Sequence, residues 1–159
     1  MFFRILTLLV LLPTALSAQG GPRYVNPSTL VKPNGYTHVV VAPDGRTAYI
    51  AGQVAYDSTG KLVGGSDFRA QAERVFQNLE RALASVGGSL TDVVKTTTFV
   101  TDAKNVPALR DIRLKHLSRS HPPANTLVVV SSLARPEFLV EIEAVALLGS
   151  VVRHTGPER

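Results

Sequence analysis

Two glutamates, Glu141 and Glu143, sit two residues apart in the apolar run LVEIEAVALL. If that run is a strand, both leave the same face about 6.6 Å apart, twice the rise per residue. A carboxylate pair at that spacing can push one pKa upward and prepare a general acid or base near neutrality. The same pair could form interstrand or intersubunit salt bridges, and spacing alone favours that simpler reading. Gly52 interrupts a β-rich run, either to relieve a bulge or to let a ligand approach the backbone, and the two roles are compatible. Tyr36 reads as a strand-edge aromatic or a ligand contact. His38, His116, His121 and His154 show no helical metal spacing, so neither a metal nor a cofactor is expected. His116, beside Lys115 and Arg119, reads as a solvated helix residue, and His121, before Pro122-Pro123, as a loop residue. Asp44, Asp57 and Asp102 read as turn residues, and Ser131-Ser132 lacks the elbow of a nucleophilic serine.

Composition narrows the chemistry further. The chain has 159 residues and no cysteine, which excludes disulfides, thiolate metal sites and a cysteine nucleophile. A length of this order supports one domain with a substantial core. The formal charge is +5, but lysine and arginine are scattered, without a basic run or interleaved aromatics. A nucleic-acid protein should show a patch or stripe, so no nucleic-acid partner is expected.

Residues 1–18 have the three parts of a secretory signal peptide: Arg4, an apolar run over residues 5–12, and small residues ending at Ala18. That run is too short to span a bilayer permanently. A periplasmic or secreted protein is expected. Residues 19–35 read as an extended N-terminal arm, residues 36–148 as the folded domain and residues 149–159 as a C-terminal tail.

Within the domain, residues 37–42 and 47–54 read as a β-hairpin around Pro43-Asp44-Gly45. Phe68, Ala72, Val75, Phe76, Leu79, Leu83 and Val86 recur mostly at steps of three and four. They predict an amphipathic helix capped by Ser66 or Asp67 and ended by Gly87-Gly88. Residues 93–101 read as a strand. Asn105 and Pro107 open a second helix, which Pro122-Pro123 ends. Residues 126–130 and 139–148 are two further strands. The order β-β-α-β-α-β-β predicts a two-layer α+β domain, with both helices on one face of a mixed sheet. In the last strand Val140, Ile142 and Ala144 should point one way and Glu141, Glu143 and Val145 the other. The second sheet face is too apolar to be left wet, and packing against copies of the same chain would cover it.

Three segments carry a resemblance: YIAGQVAYDSTGKLVGG, FRAQAERVFQNLERALASVGGSLTDVVKTTTFVTD and LVEIEAVAL. In order and spacing they resemble the Rid family of reactive intermediate deaminases, over nearly all of the folded domain. The resemblance implies a chorismate-mutase-like, RidA-like fold, a homotrimer, and sites in clefts between subunits. It implies hydrolysis of 2-imino acids, or their enamine tautomers, to 2-keto acids and ammonia. Gly52 matches the family's cleft-lining glycine, Tyr36 its tyrosine, and Glu141 the glutamate that positions the attacking water. The family's Pro-Ala-Arg motif, whose arginine grips the substrate carboxylate, reads Pro123-Ala124-Asn125 here. Asn125 offers an uncharged amide where the family has a bidentate cation. Two expectations follow: a hydrolase of small imines or enamines with an altered substrate range, or a non-catalytic trimer that binds a small molecule. Arg135 is the nearby cation in sequence that could replace the lost one.

Overall fold

The computed structural model describes residues 23–34, 36–43 and 46–149. Residues 1–18, read above as a signal peptide, the start of the arm, Asp44-Gly45 of the hairpin turn, His154 and residues 150–159 lie outside the described residues. Eight elements follow in order: β1 (Arg23–Val25), β2 (Val39–Val41), β3 (Thr47–Gln53), α1 (Phe68–Ala84), β4 (Val93–Val100), α2 (Val106–His116), β5 (Ala124–Val129) and β6 (Val140–Leu147). They form one six-stranded sheet in the order β1-β2-β3-β6-β4-β5. The two-layer α+β reading holds, with one addition. The arm contributes the short strand β1, which pairs antiparallel with β2.

The last strand of the chain lies in the middle of the sheet. β6 pairs antiparallel with β3 on one side and β4 on the other, so β3-α1-β4 is a β-α-β unit split by β6. β4 and β5 pair in parallel, joined by α2. Such a central strand should be buried on its helix face, and Val140, Ile142, Ala144 and Ala146 are. Val75, Phe76, Leu79 and Leu83 of α1, with Leu109 and Ile112 of α2, complete that core.

Local chemistry sets the helix ends. Asp67 Oδ1 accepts from the Arg69 and Ala70 amides at 2.8 and 3.2 Å, so Asp67 rather than Ser66 is the cap. Gly87, at φ +79°, turns the chain away after α1, and the Gly88 amide bonds back to the Leu83 carbonyl. At α2 the expected cap is displaced. Asn105 makes no side-chain cap bond. Instead Asp102 accepts from the Lys104 amide at the start of a 3₁₀ turn that leads into α2.

β5 begins two residues earlier than predicted, so Asn125 is a strand residue and not part of the preceding turn. The helix-free sheet face shows Val40, Tyr49, Val145 and Leu147, of which Tyr49 and Leu147 are more than half exposed. Among the described residues no helix is long and apolar enough to cross a membrane.

One buried side chain joins the loops around the middle of the sheet. Gln71 of α1 donates from Nε2 to the Gly65 and Glu137 carbonyls at 2.6 and 2.8 Å. Its Oε1 accepts from the Leu139 amide at 3.0 Å. Gln71→Ala would strand three backbone groups around a fully buried position. We expect it to cost about 2–3 kcal/mol, read from urea unfolding, because buried polar groups left unpaired keep their desolvation penalty.

Candidate functional site

The register of β3 and β6 slips where the site forms. Ile50 faces Ala144, but Gln53 faces Ile142, so three steps on β3 match two on β6. This bulge carries Ala51 and Gly52 out of the regular ladder and bends the strand. The Glu141 carboxylate lies directly against the bulge. A Cβ at Gly52 would overlap Glu141 Oε1 and come within 2.8 Å of its carboxyl carbon. Gly52 therefore leaves the space that the Glu141 carboxylate occupies, and a side chain there would displace it; the φ of Gly52 is not in the left-handed region.

Glu141 and Gly52 line a cavity of about 330 Å³ together with Tyr36, His38, Gln53, Tyr56 and Phe138. Glu141 is half-buried, and among the described residues its carboxylate has neither a hydrogen bond nor an ion pair. Burial pushes its pKa up, and the negative charge of Glu143 pushes it further. The upward tuning expected of the glutamate pair is present, with burial as the larger cause. Neither glutamate forms a salt bridge among the described residues. Burial and the nearby Glu141 charge also raise the Tyr36 pKa, so its phenol stays protonated beside the carboxylate.

His38 props Tyr36. The two rings meet edge to face, 5.2 Å between centroids. His38 Nε2 donates to the Val31 carbonyl at 2.8 Å, and Nδ1 accepts from Gln53 Nε2 at 3.3 Å. Those partners place the ring proton on Nε2. Asn78 of α1 donates to the Val54 and Tyr56 carbonyls at 2.9 and 2.8 Å, holding the chain that leaves β3. Tyr56 in turn packs edge-on against Phe138, 5.1 Å away. Sequence reasoning missed His38, Gln53, Tyr56 and Asn78. Asn78 could have been found as an amide beside Leu79 on a helix face that is apolar but for Gln71.

Asn125 is elsewhere. Phe99 of β4 pairs with Glu141 and Thr96 of β4 with Asn125. The offset of three along β4 is odd, so the two side chains leave opposite faces of the sheet. They are also separated by two strand spacings, about 10 Å, and by a similar distance along the strands. The structure thus brings Tyr36, Gly52 and Glu141 together and leaves Asn125 apart within one chain. The Arg135 guanidinium stands 5.9 Å from the centroid of the Tyr56 ring and 3.6 Å from Glu137, largely exposed. His121 is exposed and contacts Ser120. His116 is not solvated as expected: its ring stacks on Phe76 and its Nε2 meets Glu73 at 2.6 Å, joining α1 to α2. Asp57 is the turn residue expected, accepting from the Thr59 and Lys61 amides. Among the described residues no group of three histidines or carboxylates is placed to hold a metal.

An unpaired carboxylate with a raised pKa, beside a phenol and bare backbone, can position a water and shuttle its proton. Two expectations test the geometry. Gly52→Ala should destabilise by about 1–3 kcal/mol through overpacking. In a Glu141→Ala background most of that cost should vanish, giving a coupling of at least about 1 kcal/mol in a double-mutant cycle. Separately, a raised carboxyl pKa contributes stability below the unfolded value that is lost as pH rises through the folded one. Glu141→Gln should therefore raise the melting temperature relative to wild type at pH 7, with the gain fading at pH 4.

Residues 28–148 match the protein family described as endoribonuclease L-PSP. A RutC family protein of Pyrococcus horikoshii is 35% identical over 117 residues, covering 72% of this chain and 89% of that protein. Protein DfrA of Myxococcus xanthus is 32% identical over 134 residues, 84% of this chain and 94% of that one. Among solved structures, RidA from the Antarctic bacterium Psychrobacter sp. superposes with a TM-score of 0.72 at 33% identity, covering 79% of this chain and 99% of that one. A Rid family protein from Yersinia pestis, YyfA, gives a TM-score of 0.75 at 28% identity, with 80% and 100% covered. The split sheet, the bulge at Gly52 and the carboxylate set against it thus sit in a chain that matches these relatives over nearly all of its described length, and the chain belongs to the Rid family.

Proposed function

We propose that this protein hydrolyses small reactive imines or enamines to carbonyl compounds and ammonia, with Glu141 as the catalytic carboxylate. Membership of the Rid family supports an imine-deaminase type of role. The observation that carries the reading is the unpaired Glu141 carboxylate, held half-buried against Gly52 in a cavity of small-molecule size.

The chemistry balances without a cofactor. Glu141 accepts a proton from a water as the water oxygen bonds to the imine carbon, and passes that proton to the nitrogen as the C=N bond becomes a C–N single bond, giving a carbinolamine. Glu141 then accepts the hydroxyl proton of the carbinolamine and delivers it to the nitrogen. The C–N bond breaks, and the carbonyl forms as ammonia leaves. The raised pKa of Glu141 suits both halves of that transfer. Tyr36 and the backbone at Gly52 would hold the substrate against it.

The working unit in this reading is a homotrimer. The exposed Tyr49 and Leu147 on the helix-free face give copies of the chain something to bury, and a neighbouring copy would bring its Asn125 toward this cavity. The leader-like residues 1–18 put that trimer in the periplasm or outside the cell. A second reading, a trimer that binds a small molecule without consuming it, draws on Asn125 in place of the family arginine.

The test is the rate of carbonyl formation from freshly generated imines, against buffer alone. Wild type should accelerate the reaction, and Glu141→Gln should lower kcat about 100-fold or more, as expected when an acid–base group is removed. Equal rates for the two proteins would eliminate Glu141 as the catalytic group. A ligand that raises the melting temperature without turnover would favour the binding trimer.

A further inference from the structure

His38 is the one buried histidine among the described residues, and the proposed reaction gives it no step. It nevertheless lines the cavity that holds Glu141. Its polar atoms are all engaged by the protein. The backbone amide donates to Asn26 Oδ1 at 2.9 Å, and the backbone carbonyl accepts from the Ala51 amide at 3.0 Å. In the ring, Nε2 donates to the Val31 carbonyl and Nδ1 accepts from Gln53. Neither ring nitrogen is open to a substrate proton, so His38 is not an acid or base of the reaction. What it can do lies in what the ring holds.

The partners come from three pieces of the cavity wall. Val31 belongs to the arm, where it lines the cavity beside Leu30. Ala51 and Gln53 bracket Gly52 on the bulge, and Gln53 Nε2 also donates to the Ala51 carbonyl at 3.0 Å. The third is Tyr36, whose ring meets the imidazole edge to face. Tyr36 is half exposed, and among the described residues its hydroxyl has no hydrogen-bond partner. The imidazole is therefore what sets the direction of the phenol. A neutral imidazole suits that place, because it presents a donor nitrogen and an acceptor nitrogen and still packs as a ring against an aromatic neighbour. Glutamine would keep a donor and lose the ring; phenylalanine would keep the ring and lose both bonds.

We propose that His38 is a positioning residue: it ties the Tyr36 ring to the arm and to the Gly52 bulge, and so keeps the phenol in the cavity to donate to a substrate held at Glu141. The reaction it serves rests on the deaminase reading, whereas the placement of Tyr36 rests on the contacts of His38 alone. A phenol free to swing into solvent loses the contact that counts when charge moves on the substrate, so the rate suffers more than binding does. The placement can be read directly. Burial, then the Glu141 charge on β6, then Tyr56 beyond β3 raise the Tyr36 pKa, and a phenol that leaves the cavity escapes all three.

The test has a spectroscopic arm and a kinetic arm, both on the intact protein without its leader-like residues 1–18. In the first, the Tyr36 phenol is titrated by ultraviolet difference against Tyr36→Phe, which isolates it from the other three tyrosines. The same difference is taken in a His38→Gln background, with circular dichroism checking that each protein stays folded across the titration. In wild type the Tyr36 midpoint should lie above the ordinary tyrosine value. His38→Gln should bring it down toward that value. His38→Phe, which returns a ring to Tyr36, should reverse part of the shift.

In the second arm, kcat and KM are measured on freshly generated imines with and without a carboxylate. His38→Gln should lower kcat about 10-fold or more, as a displaced contact in an active site does, with KM changed less than about threefold. In a Tyr36→Phe background the same substitution should change kcat less than about twofold, because the hydroxyl through which it acts is gone. An unmoved Tyr36 midpoint in folded His38→Gln, an equal kcat loss in both backgrounds, or a loss confined to KM would each overturn the proposal. If wild type turns over neither imine, the deaminase reading fails, and the midpoint alone decides whether His38 places the phenol. If Glu141→Gln stops turnover while His38→Gln and Tyr36→Phe leave kcat untouched, the deaminase reading stands and this proposal fails.

Discussion

The seat of the Glu141 carboxylate against the backbone of Gly52 is the contact on which the rest of the site depends. It needs a residue without a side chain on β3, a bulge that lifts that residue out of register, and a β6 that runs between β3 and β4. A half-buried carboxylate without a partner is unfavourable, since burial penalises the charged form and Glu143 adds repulsion. The surrounding structure holds it there all the same. Gln71 ties the segment entering β6 to α1, and Asn78 ties the segment leaving β3 to the same helix. Helix α1 thus fixes the two backbone stretches between which the carboxylate is held. The Val75, Phe76, Leu79 and Leu83 stripe beneath supplies the apolar burial that offsets the strain.

What could be read from the sequence was whatever follows from local periodicity. The stripe on α1, the alternation of β6 and the turn chemistry of Asp57 each appear in the structure as their spacing implies. The grouping of Tyr36, Gly52 and Glu141 was legible too, but through resemblance, since neighbours in that set lie 16 and 89 positions apart along the chain. What was hidden depends on pairing between distant segments. The face on which Asn125 lies is set by its register with Thr96 across a parallel pair, and no local pattern encodes that register. His116 reads as a solvated helix residue among basic neighbours until the α1–α2 crossing brings Phe76 and Glu73 to it. The strand β1 could not be seen in residues poor in periodicity, because only the exposed edge of β2 makes it a strand.

The arrangement on two faces explains why a single chain makes poor sense of its own chemistry. Glu141 opens into a cavity flanked by Tyr36 and Phe138, whereas Asn125 and Arg113 open on the helix side of the opposite edge. Strand order alone puts β6 at the centre and β5 at the edge, so no side-chain rotation could bring the two groups to one small substrate. Repetition of the chain around an axis could, because the edge of one copy then lies beside the centre of the next. The apolar residues on the helix-free face would be buried by the same rotation. Site assembly and surface burial would then be two consequences of one symmetry.

A cation carried on a helix has a different physical character from one carried on a strand. A strand arginine at position 125 would extend from an edge already anchored to β4, with its charge fixed relative to the sheet. Arg113 lines two hollows beside Asn125 from α2, whose contact with the sheet runs through Leu109 and Ile112 and whose tie to α1 runs through His116, Lys115 and Asp111. Asn125, clamped by Thr96 and Thr98, keeps the strand's geometric precision but gives up the charge. Direction and charge are thereby divided between two elements.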